Sequence, residues 1–524
     1  MNKSLSRHPV ITGTVLLTCA GFLTKILGFV YRIFLSRTIG AEGLGIYHMV
    51  FPVYGICLSM CASAIQTAIS QSVAARKAGS GRILCAGIML SMTIACTLSY
   101  LLYHHTGWVS LHILLEPRCA DLLPLVALSI PFAAFHSCIN GYYYGLKKTV
   151  VPAASQFIEQ FSRILLVLMI YRFDMIHGKA VSVQLAAAGL FLGEIISAAF
   201  TALAVYLSAF SHRDQTSSSI SDHISNTITN SPTAAHSYVH ISIMLFTLSL
   251  PLMLNRLVLT LLQSLEAVMI PNQLLAHGLN DSQAYSTYGT LTGMAFPMIL
   301  FPSAITNSLS VLLLPTVSQA QSSGQQAKIS QTIQMSITFC LSLGIYCAGI
   351  FLFWGNELGN CIFHHPEAGT FLTTLSWLCP FLYLSTTSAS ILHGLGKTPT
   401  TFWHNVLVMI IRLGFIFFGI PAFGISAFLW GLLASEICLV LLHLTALHCL
   451  VPYRWNIYSY VIIPVGFLLI SIGIGLAAHF AFSQLTFAKK IPPIICLGGK
   501  IICSTCCYLF FSIQHYRKNW SSIT

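Results

Sequence analysis

Met49-Val50-Phe51-Pro52, inside the second apolar run of this chain, returns about 245 residues later as Met294-Ala295-Phe296-Pro297. Four further pairs keep nearly the same offset. Pro131-Phe132 matches Pro380-Phe381, and Gly145-Leu146-Lys147-Lys148-Thr149 matches Gly394-Leu395-Gly396-Lys397-Thr398. Arg163 falls on Arg412, and Gly193-Glu194-Ile195 resembles Ser435-Glu436-Ile437. A single match of this kind is chance. Five in register mark an internal duplication, with one unit at about 10–210 and the other at 239–450.

Around these matches the chain is 56% hydrophobic and 7% charged over 524 residues. Apolar runs of about 20 residues, the length that crosses the hydrocarbon core, recur from end to end. Fourteen are expected: about 10–36, 44–72, 82–104, 120–146, 150–171, 183–210, 239–265, 285–317, 329–354, 368–395, 401–420, 424–449, 457–483 and 491–513. The first is longer than a signal-peptide core, carries two cations and has no small-residue cleavage site, so it is read as retained. The expected fold class is an all-α integral membrane protein of about 14 transmembrane helices. Two parallel six-helix repeats form it, with two extra C-terminal helices outside the duplication. An even number of helices per repeat gives both the same orientation, related by an axis along the membrane normal. The expected domains are a lobe at 1–210, a Ser/Thr-rich cytoplasmic linker at 211–238, a second lobe at 239–450, and the added helices and tail at 451–524.

The net charge of +12 lies mostly in short loops, where it sets orientation rather than a nucleic-acid footprint. With the N-terminus inside, thirteen Lys and Arg residues fall in cytoplasmic segments and six on the other side, so both termini are expected in the cytoplasm. Gly394-Leu395-Gly396-Lys397-Thr398 resembles the tail of a P-loop, but Ile391 stands where that motif needs glycine. Transport must therefore draw on a gradient or on the membrane potential. Cys503-Ser504-Thr505-Cys506 has CxxC spacing inside the last apolar run and reads as helix packing. No cofactor or metal is expected.

The ionic residues within the apolar runs carry the functional reading. Lys25 and Arg32 are two helical turns apart and share a face, and no acid stands in their run. Arg256 lies deep in the seventh run, after Pro251, a candidate helix break, and Asn255. A cation at the middle of a membrane helix costs roughly 2.5–3.5 kcal/mol on insertion scales, so it faces a cavity or a partner. Lys25, Arg32 and Arg256 point to a basic chamber and an anionic cargo. Glu159 and Arg163 are four residues apart on one helix and neutralise each other. Glu194 beside Arg163, and Glu436 beside Arg412, read as matched struts within each lobe, or as sites of proton or cation coupling. A drug/cation antiporter would place carboxylates in its first helix, where this chain has Lys25 and Arg32. A membrane scaffold for cell-wall enzymes would have little need of uncompensated cations.

The run Thr24-Lys25-Ile26-Leu27-Gly28-Phe29-Val30-Tyr31-Arg32-Ile33-Phe34-Leu35-Ser36-Arg37, leading into Thr38-Ile39-Gly40-Ala41-Glu42-Gly43-Leu44-Gly45-Ile46-Tyr47, resembles the opening of bacterial polysaccharide-biosynthesis membrane proteins of the stage V sporulation protein B type. The stretch from Asn255-Arg256-Leu257 to Ser264-Leu265-Glu266-Ala267 resembles their seventh span. His48 departs from the glutamine expected there. The resemblance implies membership of the superfamily that holds MATE multidrug extruders, oligosaccharide-lipid flippases and lipid II flippases, hence MATE-like lobes. It further implies a cationic cavity between helices one, two, seven and eight, with Lys25, Arg32, Asn255 and Arg256 as substrate contacts. The last two helices would form a groove for a lipid tail. The implied function is alternating-access flipping of an undecaprenyl-pyrophosphate-linked saccharide, a lipid II-like cell-wall precursor, across the bacterial cytoplasmic membrane, with spore cortex synthesis as one setting. The implied partners are that lipid-linked oligosaccharide, membrane lipid and cell-wall synthesis enzymes, with no nucleic acid and a monomeric state.

Overall fold

The computed structural model describes residues 9–75, 78–178, 181–219, 238–454, 456–483 and 492–521. Hydrocarbon offers no water to backbone N–H and C=O groups, so a spanning segment must close its own hydrogen bonds as a helix. The apolar runs do so. The helices are α1 (Pro9–Thr38), α2 (Gly40–Ala74), α3 (Ser80–His104), α4 (Leu123–Gly145), α5 (Val150–Ile176), α6 (Gln184–Ser219) and α7 (Tyr238–Ala276). They continue as α8 (Asp281–Leu300 and Ser303–Ser322), α9 (Gln326–Phe363), α10 (Pro366–Gly394), α11 (Thr398–Phe423), α12 (Ile425–Leu450), α13 (Tyr458–Ala478) and α14 (Pro493–Ser521). Thirteen are long and apolar enough to cross a membrane, or up to 14 with the bent α8 counted as one span. No strand occurs among the described residues. Hydroxyls inside the helices turn back onto their own carbonyls, as Thr93 does on Met89 and Thr338 on Gln334, both at 2.8 Å. Such back-bonding hides a polar group that lipid cannot solvate.

Two proline sites behave in opposite ways. α7 runs as one helix through Pro251, where a break was expected. α8, expected as one continuous span, bends by 57° between Leu300 and Ser303. There Pro302 has no N–H to give, and the turn tightens into i→i−3 bonds from Phe301 to Met298 at 3.3 Å and from Ile305 to Pro302 at 3.1 Å. The start of α8 is secured by a reciprocal capping box between Asn280 and Gln283. In the segment expected as a linker, residues 211–219 continue α6, and 220–237 lie outside the described residues.

The chain forms two compact units, Met1–Tyr31 with Ile46–Val268, and Arg32–Gly45 with Met269–Thr524. In the first, α4 packs on α2, α3 and α6, and α5 packs on α6. In the second, α10 packs on α8, α9 and α12, and α11 packs on α12. These are the same pairings moved on by one repeat. Small residues make them tight, as is usual where lipid gives helices no hydrophobic reason to associate. A Cβ on Gly145 of α4 would come within 2.7 Å of the Ser70 carbonyl of α2. Its repeat mate Gly394, on α10, would meet the Leu314 carbonyl of α8 at 2.9 Å.

Residues 32–45 are tied into the second unit by their own contacts. The Arg37 guanidinium donates to the Ile362 carbonyl at 2.6 Å, and Ser282 donates to Glu42 at 2.7 Å. Gly45 and Gly289 cross backbone to backbone, so that a Cβ on either would collide with the Tyr285 or Ala41 carbonyl. The added helices α13 and α14 pack on each other, and α13 on α9. Polar bonds fasten them: Tyr346 to Thr505 at 2.6 Å, Tyr508 to the Ser342 carbonyl at 2.9 Å, and Lys500 to Glu357 at 3.0 Å.

Because both tight crossings depend on a missing side chain, Gly145→Leu and Gly394→Leu should each destabilise the protein by about 1–3 kcal/mol or more. Gly498, on α14, has nothing within 4 Å of its absent Cβ. Gly498→Leu should therefore match the wild type in thermal unfolding and size-exclusion profile, while the other two shift to lower melting temperature or aggregate.

Candidate functional site

The first unit holds an ionic cluster built by four helices, with Glu194 buried and His136, Glu159 and Arg163 partly buried around it. Glu159 and Arg163, one turn apart on α5, pair at 2.6 Å. Glu194 on α6 is 5% exposed and accepts from the Tyr54 hydroxyl of α2 at 3.0 Å. Its other oxygen meets His136 Nε2 of α4 at 2.7 Å, and the Arg163 guanidinium lies 3.9 Å away. Gly189 and Gly193 of α6 make room for this: Cβ atoms there would press on Val167, the Tyr31 hydroxyl and Arg163. Asn140, one turn after His136, places its Nδ2 3.4 Å from His136 Nδ1 and 3.5 Å from Ser155 Oγ, which in turn meets Ser197 at 2.9 Å. Three buried polar atoms around the cluster have no partner among the described residues: the Tyr31 hydroxyl, Asn140 Oδ1 and Arg163 Nε. One nitrogen or oxygen from each of His136, Glu159 and Glu194 lies within 4.8 Å of the others. A divalent metal fits poorly there, because the Arg163 guanidinium already occupies the gap between the carboxylates.

The second unit repeats the strut and omits the rest. Arg412 on α11 lies 3.4 Å from Glu436 on α12, and its Nε donates to Ser435 Oγ at 3.3 Å. By repeat register Ser385 stands for His136 and Val408 for Glu159. One guanidinium there faces one carboxylate. Nearby, His443 is 1% exposed and bonds Ser388 Oγ at 3.3 Å, and its ring lies 5.3 Å from that of His404.

The remaining sequence-derived residues are placed differently. Lys25 on α1 and Arg256 on α7 are exposed, and neither has a hydrogen-bond or ion-pair partner among the described residues. Asn255 is partly buried. Arg32 is partly buried, falls in the second unit and is already engaged. On the turns after Arg256, Thr260 bonds Ser59 at 3.0 Å and Ser264 bonds the Pro52 carbonyl at 3.3 Å, so α7 lies against α2 beside that arginine. Sequence reasoning brought Glu159, Arg163 and Glu194 together, and Arg412 with Glu436. It missed His136, Tyr54 and Asn140. The repeat carried the missing signal: Ser385 is the one-repeat counterpart of His136, so the histidine is an addition to one copy alone.

Removing a single partner from a buried ion pair strands the other charge, a loss of about 3–5 kcal/mol. Arg163→Gln should therefore lower the melting temperature sharply, since it leaves two buried carboxylates facing each other. Adding Glu159→Gln should restore much of that loss. Thermal unfolding followed by tryptophan fluorescence tests this, and additive losses would refute it.

Known proteins share this architecture. Among curated relatives from Bacillus subtilis (strain 168), "Stage V sporulation protein B" is 25% identical over 477 residues, covering 88% of this chain and 89% of the relative. "Lipid II flippase MurJ" of the same organism is 23% identical over 436 residues, covering 77% and 76%. Among solved structures, a lipid II flippase MurJ in an inward closed conformation superposes with a TM-score of 0.68 at 15% identity, covering 96% of this chain and 99% of that one. A multidrug resistance MATE family transporter of the MOP superfamily, in an inward-facing conformation, gives 0.63 at 13% identity, covering 82% and 95%. The fold is thus that of MurJ and of the MATE transporters. The sequence model for polysaccharide biosynthesis protein matches residues 10–321, well over half of the chain, and the protein belongs to that family.

Proposed function

We propose that this chain is a flippase that carries a lipid-linked saccharide across the bacterial cytoplasmic membrane by alternating access. The observation that carries the reading is the pair of exposed cations, Lys25 and Arg256, with no partner among the described residues, in apolar helices of a polysaccharide biosynthesis family member. An undecaprenyl-pyrophosphate saccharide brings the complementary charge. Lys25 supplies a point charge to the diphosphate, and Arg256 a bidentate one. Arg32 and Asn255 complete the contacts from the same two helices. The relatives named for lipid II flipping and for sporulation favour a peptidoglycan precursor, with spore cortex synthesis as the setting. The activity is transport and not catalysis. It acts on membrane lipid as a monomer with both termini in the cytoplasm, handing its product to cell-wall synthesis enzymes. In this reading α13 and α14 flank the lipid tail.

The driving force follows from the same cations. A negative interior stabilises positive charge on the cytoplasmic side by about 2.3 kcal/mol per charge per 100 mV. After outward release the bare cations therefore favour the inward-facing state. A cation/drug antiporter of the same fold is the rival, and it is disfavoured because α1 has no carboxylate anywhere along its length.

The reading is tested in proteoliposomes with a fluorescent undecaprenyl-pyrophosphate saccharide. Wild type should flip the lipid, Arg256→Ala should lose at least tenfold in rate while folding normally, and collapsing the membrane potential should slow the wild type. Export of cationic dyes without lipid movement would hand the function to the antiporter.

A further inference from the structure

The buried cluster of the first unit does not balance its charge. Glu159 and Glu194 bring two negative charges and Arg163 one positive, so with a neutral His136 the pocket is left with one excess negative charge inside the membrane. Burying an unmatched charge is far more costly than burying a pair. In the second unit Arg412 meets Glu436, and Ser385 and Val408 hold the positions of His136 and Glu159. That pair matches one positive charge with one negative. The first-unit cluster is neutral only with one more positive charge.

Asn140 provides a second, independent indication. A neutral imidazole that donates from Nε2 to Glu194 leaves Nδ1 as an acceptor, which suits the Asn140 Nδ2 now 3.4 Å away. An imidazolium has a proton on both nitrogens and needs an acceptor at Nδ1. Asn140 Oδ1 is that acceptor: it lies on the same amide, in a residue only 6% exposed, and has no partner among the described residues. A half-turn of the amide exchanges the two arrangements, so the site accommodates His136 in either state.

We propose that this pocket is a proton-binding site, in which the His136–Glu194 pair takes up and releases one proton from water as the protein works, with Asn140 turning its amide to match. The groups that face His136 are Glu194 from α6, Glu159 and Arg163 from α5, and Tyr54 from α2. α3 meets α4 through Ser99, whose hydroxyl bonds the Ala127 carbonyl. The Pro117–Asp121 turn abuts the far start of α4, about 20 Å along the helix. A bound proton closes the charge balance and lets the cluster stay dry. Its loss leaves a net negative pocket that calls for water, which is a means of linking a proton gradient to the state of the first unit. The site does not depend on what the protein carries.

The test needs no substrate. Full-length protein in nanodiscs is titrated between pH 4 and 9 and compared with His136→Gln. Wild type should bind about one proton more across that range. In Glu194→Gln, which keeps the histidine but removes its anionic partner, the proton should be held at least about tenfold more weakly. Tyr54→Phe removes only a donor to the Glu194 carboxylate and should tighten proton binding; it serves if His136→Gln fails to fold. Identical titration curves for wild type and all three variants would overturn the proposal. So would sodium-specific binding at millimolar concentration with no proton uptake by the wild type, which would make the pocket a metal-ion site. Failure of lipid flipping with an intact difference titration would remove the proposed cargo and leave the proton site standing.

Discussion

A charge inside a hydrocarbon slab must be cancelled by another charge or reached by water, and this requirement sorts the ionic residues of the chain. Glu159, Arg163, Glu194 and His136 are gathered in the first unit, where their charges balance once His136 carries a proton, and Arg412 meets Glu436 in the second. Lys500 of α14 is matched by Glu357 at the end of α9. Lys25 and Arg256 are not matched by any described residue and stand exposed on their helices. The cancelled groups are placed at crossings that small residues bring close, such as Gly189 and Gly193 against α5. The unmatched ones stand on α1 and α7. Packing and chemistry thus follow from one electrostatic condition applied at different depths and on different faces.

Duplication supplied two copies of a six-helix scaffold, and the copies have kept their helix pairings while diverging in what they bury. Gly145 and Gly394 hold equivalent crossings, and Arg163 and Arg412 equivalent struts. Against this shared frame the differences stand out. The first copy has Tyr54, His136 and Asn140 around its carboxylate. The second has a separate pair of neighbouring histidines, His404 and His443, whose rings meet at a tilt.

Much of this architecture is legible in the sequence, because membrane helices are written as long apolar runs and the duplication as matches in register. The Glu159–Arg163 pair is legible too, since four residues on a helix is a local rule. His136 and Glu194 are 58 residues apart on different helices, and no periodicity joins them. Their contact depends on how α4 and α6 rotate about their axes, which packing decides. Proline was an ambiguous sign for the same reason. Pro251 is carried within α7, while Pro302 falls at the bend of α8, so the residue type alone does not decide the outcome. That Arg256 has no acid within reach along its own helix was legible; that it also lacks a partner from other helices among the described residues was not. Nor was the engaged state of Arg32.

The fastening of α13 and α14 has a consequence for biogenesis. These helices leave the ribosome after α9, so α9 enters the bilayer with the Tyr346 hydroxyl, the Ser342 carbonyl and Glu357 still lacking Thr505, Tyr508 and Lys500. Hydrophobicity cannot guide the late hairpin to its place, because lipid solvates its apolar surface as well as protein does. The polar bonds are what distinguish the correct docking face from any other. Docking of this hairpin is thus a lateral recognition event within the bilayer, after insertion of the helix that receives it.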